Sequence, residues 1–476
     1  MDSLKALNLI NGEWQQPRSE RFCQRADPRT GLARAAVQCV DDADIDAAVA
    51  AAKSSGWAEA SVDERLSVLD ALIGQLNASK QELAQTVSDE IGADLEFALA
   101  QHVGSAVGHL NAIRDALAHD QSDQTPWPGK PDHRVRFEPI GVVALITPWN
   151  WPINQVALKV GAALAAGCPM VLKPSELTPD SSMAFARVIA AVSPDGVFNM
   201  VLGDGETGAA LVAHPGISAI SFTGSTAVGR RIAGIAGQDL KRVGLELGGK
   251  SPNILFADCD LETAMTQGIA HCFRNGGQSC NAATRMLVER SVYKHAQELA
   301  AEAALAWSPE ATPQNGLNLG PIISARHFDR VQELILTGVQ EGASLLTGGP
   351  GKANGQAGFY PRPTVFADVT PEMTIWKEEI FGPVLTMTPF DSEEKAISLA
   401  NDTPYGLAGY IQTSDAECAT RVANAMEVGM VQVNGCSRAP GAPFGGVKAS
   451  GDSREAGIWG IRSFQTVKSI SGANAE

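Results

Sequence analysis

A hexapeptide beyond the middle of the chain places a thiol directly after glycines: Gly276-Gly277-Gln278-Ser279-Cys280-Asn281. Because glycine has no Cβ, the backbone before Cys280 can approach a ligand closely. Backbone N–H groups beside the sulfur would stabilise a thiolate, and then the oxyanion that forms when a thiolate attacks a carbonyl group. On these six residues alone, a small buried cysteine without a chemical role is an equally good interpretation.

The segments that must position this thiol alternate between strands and helices. Apolar runs predict strands at 142–146, 170–172, 197–202 and 219–222, and the segments 152–166, 181–192 and 208–213 predict helices between them. The first run is apolar throughout, which suits a strand buried on both faces of a parallel sheet. This alternation predicts an α/β fold with a Rossmann-like parallel sheet, which binds ligands at the carboxyl ends of its strands.

The flanking segments predict further elements. Residues 44–120 have helical spacing, the stretch 121–132 contains prolines and glycine that break it, and 133–137 alternates as an exposed strand does. A second α/β region runs from about residue 250 to about residue 448. The alternating segment 463–470 predicts a last strand, which pairs with the 133–137 strand or with another subunit.

Three loops at the predicted ligand edge carry polar side chains. Asn150 follows the first strand and offers an amide group, and Ser225 opens a helix whose N-terminal N–H groups suit a pyrophosphate. For each, helix capping is the simpler alternative. Lys173 and Glu176 follow the second strand and could hold the two hydroxyls of an adenosine ribose. Their alternative is an exposed i,i+3 salt bridge.

Two glycine patterns match nucleotide-binding motifs in their letters. Residues 203–208 spell G-x-G-x-x-G after a strand and before a helix, but no acidic residue ends a strand about 20 residues later. Residues 244–251 match the phosphate-binding P-loop, which requires a helix to begin at its Lys-Ser pair. Pro252 and the apolar run after it predict a strand instead. A P-loop nucleotide-dependent enzyme is therefore the weaker alternative.

Size, charge and cysteine usage narrow the class of protein. The chain has 476 residues and a mass of 49.9 kDa, so two or three domains are expected. The net charge of −16 argues against nucleic-acid and anionic-membrane partners. No apolar run reaches the roughly 18 residues that span a bilayer, and no signal-peptide pattern is present. Eight scattered cysteines and eight histidines show no metal-ligand spacing, so no metal site and a reducing cytoplasm are expected.

The loops described above combine with later segments into a specific order. These segments are Thr147-Pro148-Trp149-Asn150-Trp151-Pro152, Lys173-Pro174-Ser175-Glu176, Phe222-Thr223-Gly224-Ser225-Thr226, Glu246-Leu247-Gly248-Gly249, Gly277-Gln278-Ser279-Cys280, Glu378-Glu379-Ile380-Phe381-Gly382-Pro383-Val384 and Pro443-Phe444-Gly445-Gly446. In this order they resemble the NAD(P)-dependent aldehyde dehydrogenase superfamily, in its hydrolytic, non-acylating form. The resemblance runs from the segment Ile10–Trp14 to the closing strand.

The resemblance implies how the chemistry would proceed. Cys280 resembles the nucleophile that attacks the aldehyde to give a thiohemiacetal, and the Asn150 amide with the Cys280 N–H resembles the oxyanion hole. Loss of hydride leaves a thioester, and Glu246 resembles the base that activates water to hydrolyse it. A catalytically silent binding protein on the same fold is the other alternative, and the presence of all three residues argues against it.

The resemblance also implies a dinucleotide site. Glu379 resembles the ligand of the nicotinamide ribose, with Phe381 packing nearby. Glu176 lies where a ribose 2′-phosphate would sit, so NAD is expected in preference to NADP. The cofactor contacts implied are Ile146, Thr147, Trp149, Lys173, Ser175, Glu176, Gly205, Ser225, Val228, Leu247, Glu379 and Phe381.

Family architecture implies three regions: an NAD-binding domain at 1–120 and 140–248, a catalytic domain at 249–447 and an oligomerisation arm at 121–139 and 448–476. The arm makes homodimers, which often pair into homotetramers.

The sequence does not name the aldehyde. The substrate funnel implied by the resemblance includes Trp151, Asn154, Gln155, Ser279, Asn281, Arg438 and Phe444. A quaternary ammonium needs two or three aromatic rings around it, and Trp151 is the one ring among the positions after Asn150, beside Cys280 and before Pro443, so betaine aldehyde is disfavoured. Leu158 counts weakly against succinic semialdehyde, because some enzymes for that substrate carry Arg at this place. A medium-sized aliphatic or aromatic aldehyde with polar character is expected. Arg438 could bind an acid end, although a solvated loop arginine is the more common interpretation.

Overall fold

The computed structural model describes residues 7–120, 123–130, 132–310, 317–353 and 355–473. Two large sheets dominate these ranges. The strands are β1 (Asn8–Ile10), β2 (Glu13–Gln15), β3 (Phe22–Ala26), β4 (Ala33–Gln38), β5 (Asp123–Gln124), β6 (His133–Pro139), β7 (Val143–Ile146), β8 (Met170–Lys173), β9 (Phe198–Met200), β10 (Ala219–Thr223), β11 (Arg242–Glu246), β12 (Pro252–Leu255), β13 (Arg285–Glu289), β14 (Trp307–Ser308), β15 (Leu317–Asn318), β16 (Ser344–Thr347), β17 (Thr364–Ala367), β18 (Val384–Phe390), β19 (Ala408–Gln412), β20 (Met430–Val433) and β21 (Gln465–Ser471).

The helices cover both faces of these sheets. They are α1 (Asp42–Ser54), α2 (Val62–Ala78), α3 (Lys80–Ile91), α4 (Leu95–Phe97), α5 (Gly104–Ala118), α6 (Pro152–Ala166), α7 (Pro179–Ala190), α8 (Gly205–Ala213), α9 (Thr226–Gln238), α10 (Leu261–Phe273), α11 (Tyr293–Leu305), α12 (Ala325–Gln340), α13 (Thr374–Lys377), α14 (Glu393–Asn401), α15 (Ala416–Ala425) and α16 (Gly457–Ser463). A π-helical turn (Ala98–Val103) joins α4 to α5. Within the described ranges, no helix is both long enough and apolar enough to traverse a bilayer.

The first sheet has the strand order β11-β10-β7-β8-β9-β1-β2, and β7 to β11 run parallel. β7 is buried along its whole length, as a parallel strand covered by helices on both faces must be. The register pairs Ile146 with Lys173 and Thr223 with Glu246, so the carboxyl ends of these strands form one edge. The predicted site residues Asn150, Lys173 and Glu246 lie at or just beyond that edge.

The second sheet has the order β16-β17-β18-β13-β12-β19-β20 and is parallel except for β16. Its strand β12 begins at Pro252, immediately after Lys250 and Ser251. A P-loop requires a helix at that point, so the P-loop interpretation is wrong.

A third, antiparallel sheet has the order β21-β6-β5. β21 pairs with β6 along its whole length, which selects one of the two partners that the sequence left open for the last strand. Two helices begin earlier than predicted because local capping extends them. Pro179 occupies the first turn of α7, and the Asp204 side chain accepts the N–H groups of residues 206 and 207 so that α8 starts at Gly205.

Candidate active site

Cys280 lies where two cavities meet. The first, here the helix-side cavity, has a volume of about 400 Å³ and is walled by the π-helical turn, α5, α6 and the segment 438–444. The second, the sheet-side cavity, has a volume of about 270 Å³ and is walled by loops at the carboxyl ends of the strands. Among the described residues, Cys280 is the one that lines both. A ligand in either cavity would therefore reach the same thiol.

The loop before Cys280 is fixed by backbone contacts. α10 ends at Phe273, and Gly277 then adopts a φ of +74°. A Cβ at Gly277 would lie 2.2 Å from the carbonyl group of Gly382, so only glycine fits this close approach. The buried Gln278 side chain donates to the carbonyl of Pro321 and accepts the N–H of Ile323, both at 3.0 Å. These contacts hold the sulfur at the junction of the cavities.

Burial raises the pKa of the Cys280 thiol to about 12, and the carboxyl groups of Glu379 and Glu246 add to this effect. The backbone N–H groups of Asn281 and Cys280 oppose it. The thiol is therefore protonated at neutral pH without a ligand. Attack on a carbonyl group requires a nearby base or a cation that lowers this pKa.

Asn150 faces the loop that carries the thiol. Its Nδ2 donates to the carbonyl of Gln278 at 3.0 Å, and Asn275 donates to the Asn150 carbonyl at 2.8 Å. The side chain is 4% exposed, and its Oδ1 has no hydrogen-bond partner among the described residues. α6 begins after Trp151 without any side-chain cap, so the helix-cap alternative for Asn150 is wrong.

Glu246 ends β11 and is 2% exposed. Neither carboxylate oxygen has a hydrogen-bond partner among the described residues. Burial and the neighbouring Glu455 raise its pKa well above the usual range, while Lys159 and Arg454 oppose the shift. A Cβ at Gly445 would lie 2.8 Å from Glu246 Oε1, and Glu246 lines neither cavity. It is thus a buried carboxyl group that lies close enough to Cys280 to contribute to the raised pKa of that thiol.

The sheet-side cavity gathers five of the predicted cofactor residues. They are Trp149, Ser225, Leu247, Glu379 and Phe381. Sequence reasoning missed His327, which also lines this cavity and whose Nε2 lies 2.7 Å from the Phe381 carbonyl. His327 lies in the first turn of α12, 54 residues before Phe381 along the chain, so no local pattern signals its position.

Glu379 is fixed in this cavity by a backbone contact. Its Oε1 accepts the N–H of Gly249 at 3.0 Å. Burial raises its pKa to about 7, and the Gly249 N–H with the Lys250 ammonium opposes this shift. A Cβ at Gly248 would lie 2.2 Å from Glu379 Oε2, so the missing side chain makes room for the carboxylate. Its oxygens can accept hydrogen bonds from the hydroxyl groups of a ligand.

The other predicted cofactor residues lie outside that cavity. They are Ile146, Thr147, Lys173, Ser175, Glu176, Gly205 and Val228. Lys173 and Glu176 form the i,i+3 ion pair of their simpler interpretation, with an N–O distance of 3.5 Å, but the pair is not exposed as that interpretation expected, because the Lys173 side chain is buried. Ser225 caps α9 by accepting the Val228 N–H at 3.4 Å, again as its simpler interpretation expected. Neither contact prevents these groups from also meeting a ligand at the strand ends.

The helix-side cavity gathers six of the seven predicted funnel residues. They are Trp151, Asn154, Gln155, Asn281, Arg438 and Phe444. Ser279 does not line it, because its hydroxyl turns to accept the indole N–H of Trp151 at 3.1 Å. Sequence reasoning missed the opposite wall, where the π-helical turn and α5 contribute Gln101, Ser105 and His109.

One cluster near the first sheet was also not anticipated. The sulfur atoms of Cys23 and Cys39 are 3.3 Å apart, and a carboxylate oxygen of Asp204 lies within 4.8 Å of both. Such a group has the donor types of a metal site. Asp204, however, already accepts the N–H groups that begin α8 and pairs with Arg21 at 2.8 Å. Its carboxylate is committed to those contacts.

Comparisons with known proteins agree with this geometry. A 3-succinoylsemialdehyde-pyridine dehydrogenase from a Pseudomonas species is 41% identical over 97% of this chain and 98% of its own length. A crystal structure of an aldehyde dehydrogenase from Bartonella henselae has a TM-score of 0.95 and 44% identity, covering 98% of this chain and 99% of the other. Aldehyde dehydrogenase C of Pseudomonas syringae, solved as a cysteine-to-alanine mutant with NAD⁺ and octanal, has a TM-score of 0.95 and 42% identity, covering 100% and 99%.

The family match extends over almost the whole sequence. Residues 14–470 match the aldehyde dehydrogenase family. This span includes the three residues expected to carry the chemistry and the walls of both cavities. The chain therefore belongs to the aldehyde dehydrogenase family.

Proposed function

We propose that the protein oxidises an aldehyde to the free carboxylic acid with NAD as the electron acceptor, and that Cys280 is its nucleophile. The observation that supports this most directly is that Cys280 lines both cavities. An aldehyde in the helix-side cavity and a cofactor in the sheet-side cavity would meet at one sulfur atom. Transfer of hydride from an aldehyde bound to the thiol requires the cofactor to lie beside the same sulfur atom, as this arrangement would allow.

The residues of the sheet-side cavity fit a dinucleotide. The cavity opens at the carboxyl ends of parallel strands, where such ligands bind, and the rings of Trp149 and Phe381 stand 5.5 Å apart in its wall. Glu379 is placed to accept ribose hydroxyls. NAD bound there supplies the acceptor for hydride.

The chain's own residues perform the other steps. The Cys280 thiol gives its proton to solvent, and the thiolate forms a carbon–sulfur bond to the aldehyde. The resulting oxyanion is stabilised by the Asn150 amide and the Cys280 N–H. Loss of hydride leaves a thioester on the sulfur. Glu246 then takes a proton from water, which attacks the thioester and releases the acid and the thiol. Burial and the neighbouring Glu455 raise the pKa of Glu246, which makes its ionised carboxylate a stronger base toward water.

Replacing the nucleophile tests the assignment directly. Cys280→Ala should reduce aldehyde oxidation below detection while NAD binding, measured by calorimetry, stays within about threefold, because the sulfur forms the bond that carries the reaction. NADH absorbance measures the oxidation.

Cys272→Ala is the matched control, because this cysteine is buried in α10 and lines neither cavity. It should retain turnover. If Cys272→Ala were inactive and Cys280→Ala active, the assignment of Cys280 as the nucleophile would be wrong. If the wild type oxidised none of a panel of aldehydes, the alternative of a catalytically silent binding protein would be favoured.

The fate of the thioester depends on Glu246. Glu246→Gln should release about one equivalent of NADH per site in a burst and then stall, because the amide cannot accept a proton from water. Stopped-flow absorbance measures the burst, and mass spectrometry detects the acylated protein. If coenzyme A accelerates the wild type and acyl-CoA appears, the hydrolytic assignment is wrong.

Cofactor preference depends on Glu176. A 2′-phosphate beside its carboxylate would place two anions in contact at a partly desolvated edge, so kcat/KM for NAD should exceed that for NADP at least about tenfold. Glu176→Gln should narrow this ratio. Glu333→Gln, which removes an exposed acid from α12, should not. Comparable kcat/KM values for the two cofactors in the wild type would contradict the assignment.

We also propose the domain division predicted from the sequence: 1–120 with 140–248, then 249–447, and an arm of 121–139 with 448–476. The first sheet supports it by combining β1 and β2 with β7 to β11. Each sheet lies within one proposed region, so separate unfolding transitions in calorimetry would test the boundaries. A cytoplasmic location is consistent with the eight free cysteines and can be tested by cell fractionation.

The third sheet supports assembly into a homodimer or homotetramer. β21 is an edge strand, and its Val467 side chain is 65% exposed. Exposed apolar edge strands favour pairing with another chain. Light scattering should therefore give a mass about two or four times 49.9 kDa. A particle of 49.9 kDa at micromolar concentration would contradict this proposal.

A further inference from the structure

The helix-side cavity carries positive charge in a strongly acidic protein. Its wall contains one arginine, Arg438, one histidine, His109, and no aspartate or glutamate among the described residues. The whole chain, by contrast, has a net charge of −16. A positively charged cavity in a negatively charged protein favours the binding of an anionic ligand.

Arg438 has no counter-ion in the part of the chain that the structure describes. Among the described residues, no carboxylate forms an ion pair with it. Its guanidinium lies over the Phe444 ring at 4.9 Å, and Nη1 makes a long contact of 3.4 Å with the Ala442 carbonyl. Burial lowers its pKa, opposed by Tyr410 and Cys280. A half-buried cation stacked on a ring and without an anion keeps donors available for a ligand.

The groups around Arg438 do not neutralise it. Burial, and then the positive charge of Arg438, lower the pKa of His109 to about 4, so its imidazole is uncharged at neutral pH. The Tyr410 hydroxyl donates to the Asn281 carbonyl at 2.9 Å. Hence Arg438 is the one formally charged side chain among the described residues of the wall.

A second polar group in the wall also lacks a partner. Gln155 is 7% exposed, and its Oε1 has no hydrogen-bond partner among the described residues. An unpaired buried amide costs free energy unless a ligand or water pairs with it. Gln155 lies on α6 one turn before Leu158, so this polar group and an apolar side chain share the same wall.

We propose that Arg438 binds a carboxylate at the far end of the aldehyde, and that the substrates of this enzyme are aldehydes that carry such an acid group. This proposal rests on the proposed function, because it assigns the other end of the same substrate to Cys280. The volume of about 400 Å³ holds a small ligand, and Trp151, Leu158 and Phe444 supply apolar contacts between the two polar ends. The class is therefore ω-oxo acids with an aliphatic chain or an aromatic ring in the middle.

The relatives do not decide this point. One is named for an aldehyde attached to a pyridine, and another was crystallised with octanal. Neither compound, as named, carries a carboxylate. The proposal stands on this chain's unpaired Arg438 alone.

Three probes of equal chain length separate the acid from its shape and polarity: hexanal, methyl 6-oxohexanoate and 6-oxohexanoate. In the wild type, kcat/KM for the acid should exceed that for the methyl ester and for hexanal about tenfold or more, because one charge-assisted contact contributes at least this factor. Benzaldehyde and 4-carboxybenzaldehyde repeat the comparison on a ring.

Arg438→Ala should bring the acid-to-ester ratio close to one, and Arg438→Lys should retain part of it, since the charge remains but the planar guanidinium is lost. Arg187→Ala is the matched control, because Arg187 also lies over an aromatic ring, that of Trp14, and does not line the cavity. It should keep the wild-type ratio.

A binding measurement without turnover separates substrate recognition from catalysis. Adipate should bind Cys280→Ala protein in calorimetry, and adding Arg438→Ala should weaken this binding about tenfold or more. If neutral aldehydes are oxidised as well as the acids, or if Arg438→Ala leaves the ratio unchanged, the carboxylate assignment is wrong although aldehyde oxidation stands. If no aldehyde of either kind is oxidised, the proposed function itself is wrong.

Discussion

The active site depends on backbone segments that approach one another more closely than any side chain would permit. A Cβ at Gly249 would lie 2.4 Å from the Cys280 carbonyl, and one at Gly277 would meet the backbone of Gly382. At Gly445 it would lie 2.8 Å from a Glu246 oxygen. Gly249 and Gly445 thus lie beside residues expected to react, Cys280 and Glu246. The absent side chains are what allow loops from distant parts of the chain to converge on one sulfur.

Both large sheets contribute to this convergence. The first places Asn150 and Glu246 at the carboxyl ends of β7 and β11, and the second carries Cys280 on the loop before β13. Glu379 precedes β18 and reaches back to the Gly249 N–H. The links between these parts are buried hydrogen bonds to backbone groups, whose geometry does not depend on flexible surface side chains. Burial then shifts the titration of Cys280, Glu246 and Glu379 in the same direction, toward their uncharged forms.

Local patterns were sufficient for much of the fold. α6 spans residues 152–166 as predicted, because Pro152 starts it and Gly167 ends it in the left-handed conformation. The strand that begins at Pro252 was predicted in the same local way, from the proline and the apolar run that follows it. The family, the α/β fold class and the aldehyde dehydrogenase activity predicted from the sequence are confirmed by the family match and the solved relatives. The roles of individual site residues remain predictions.

The sequence could not predict contacts that depend on distant packing. His109 and Gln101 lie on helical segments whose spacing indicates helices but not which cavity they wall. Ser279 does not line the funnel, and its hydroxyl accepts the indole N–H of Trp151. Each outcome is decided by which element lies opposite, and a single sequence carries no signal for that. Helix capping and hydrophobic periodicity, by contrast, depend on residues that are close together in the sequence and can therefore be predicted from it.

The shared position of Cys280 makes recognition of the two ligands separable. Helix α5 and the segment 438–444 wall only the helix-side cavity, whereas Trp149, Glu379 and His327 wall only the sheet-side cavity. If the two cavities hold the ligands proposed for them, a substitution in one wall can reshape the choice of aldehyde without disturbing the site for the electron acceptor, since Cys280 is the one described residue that lines both. The architecture is modular at the level of the ligand pocket, and new substrate ranges are accessible to it through changes in a few helical positions and one loop.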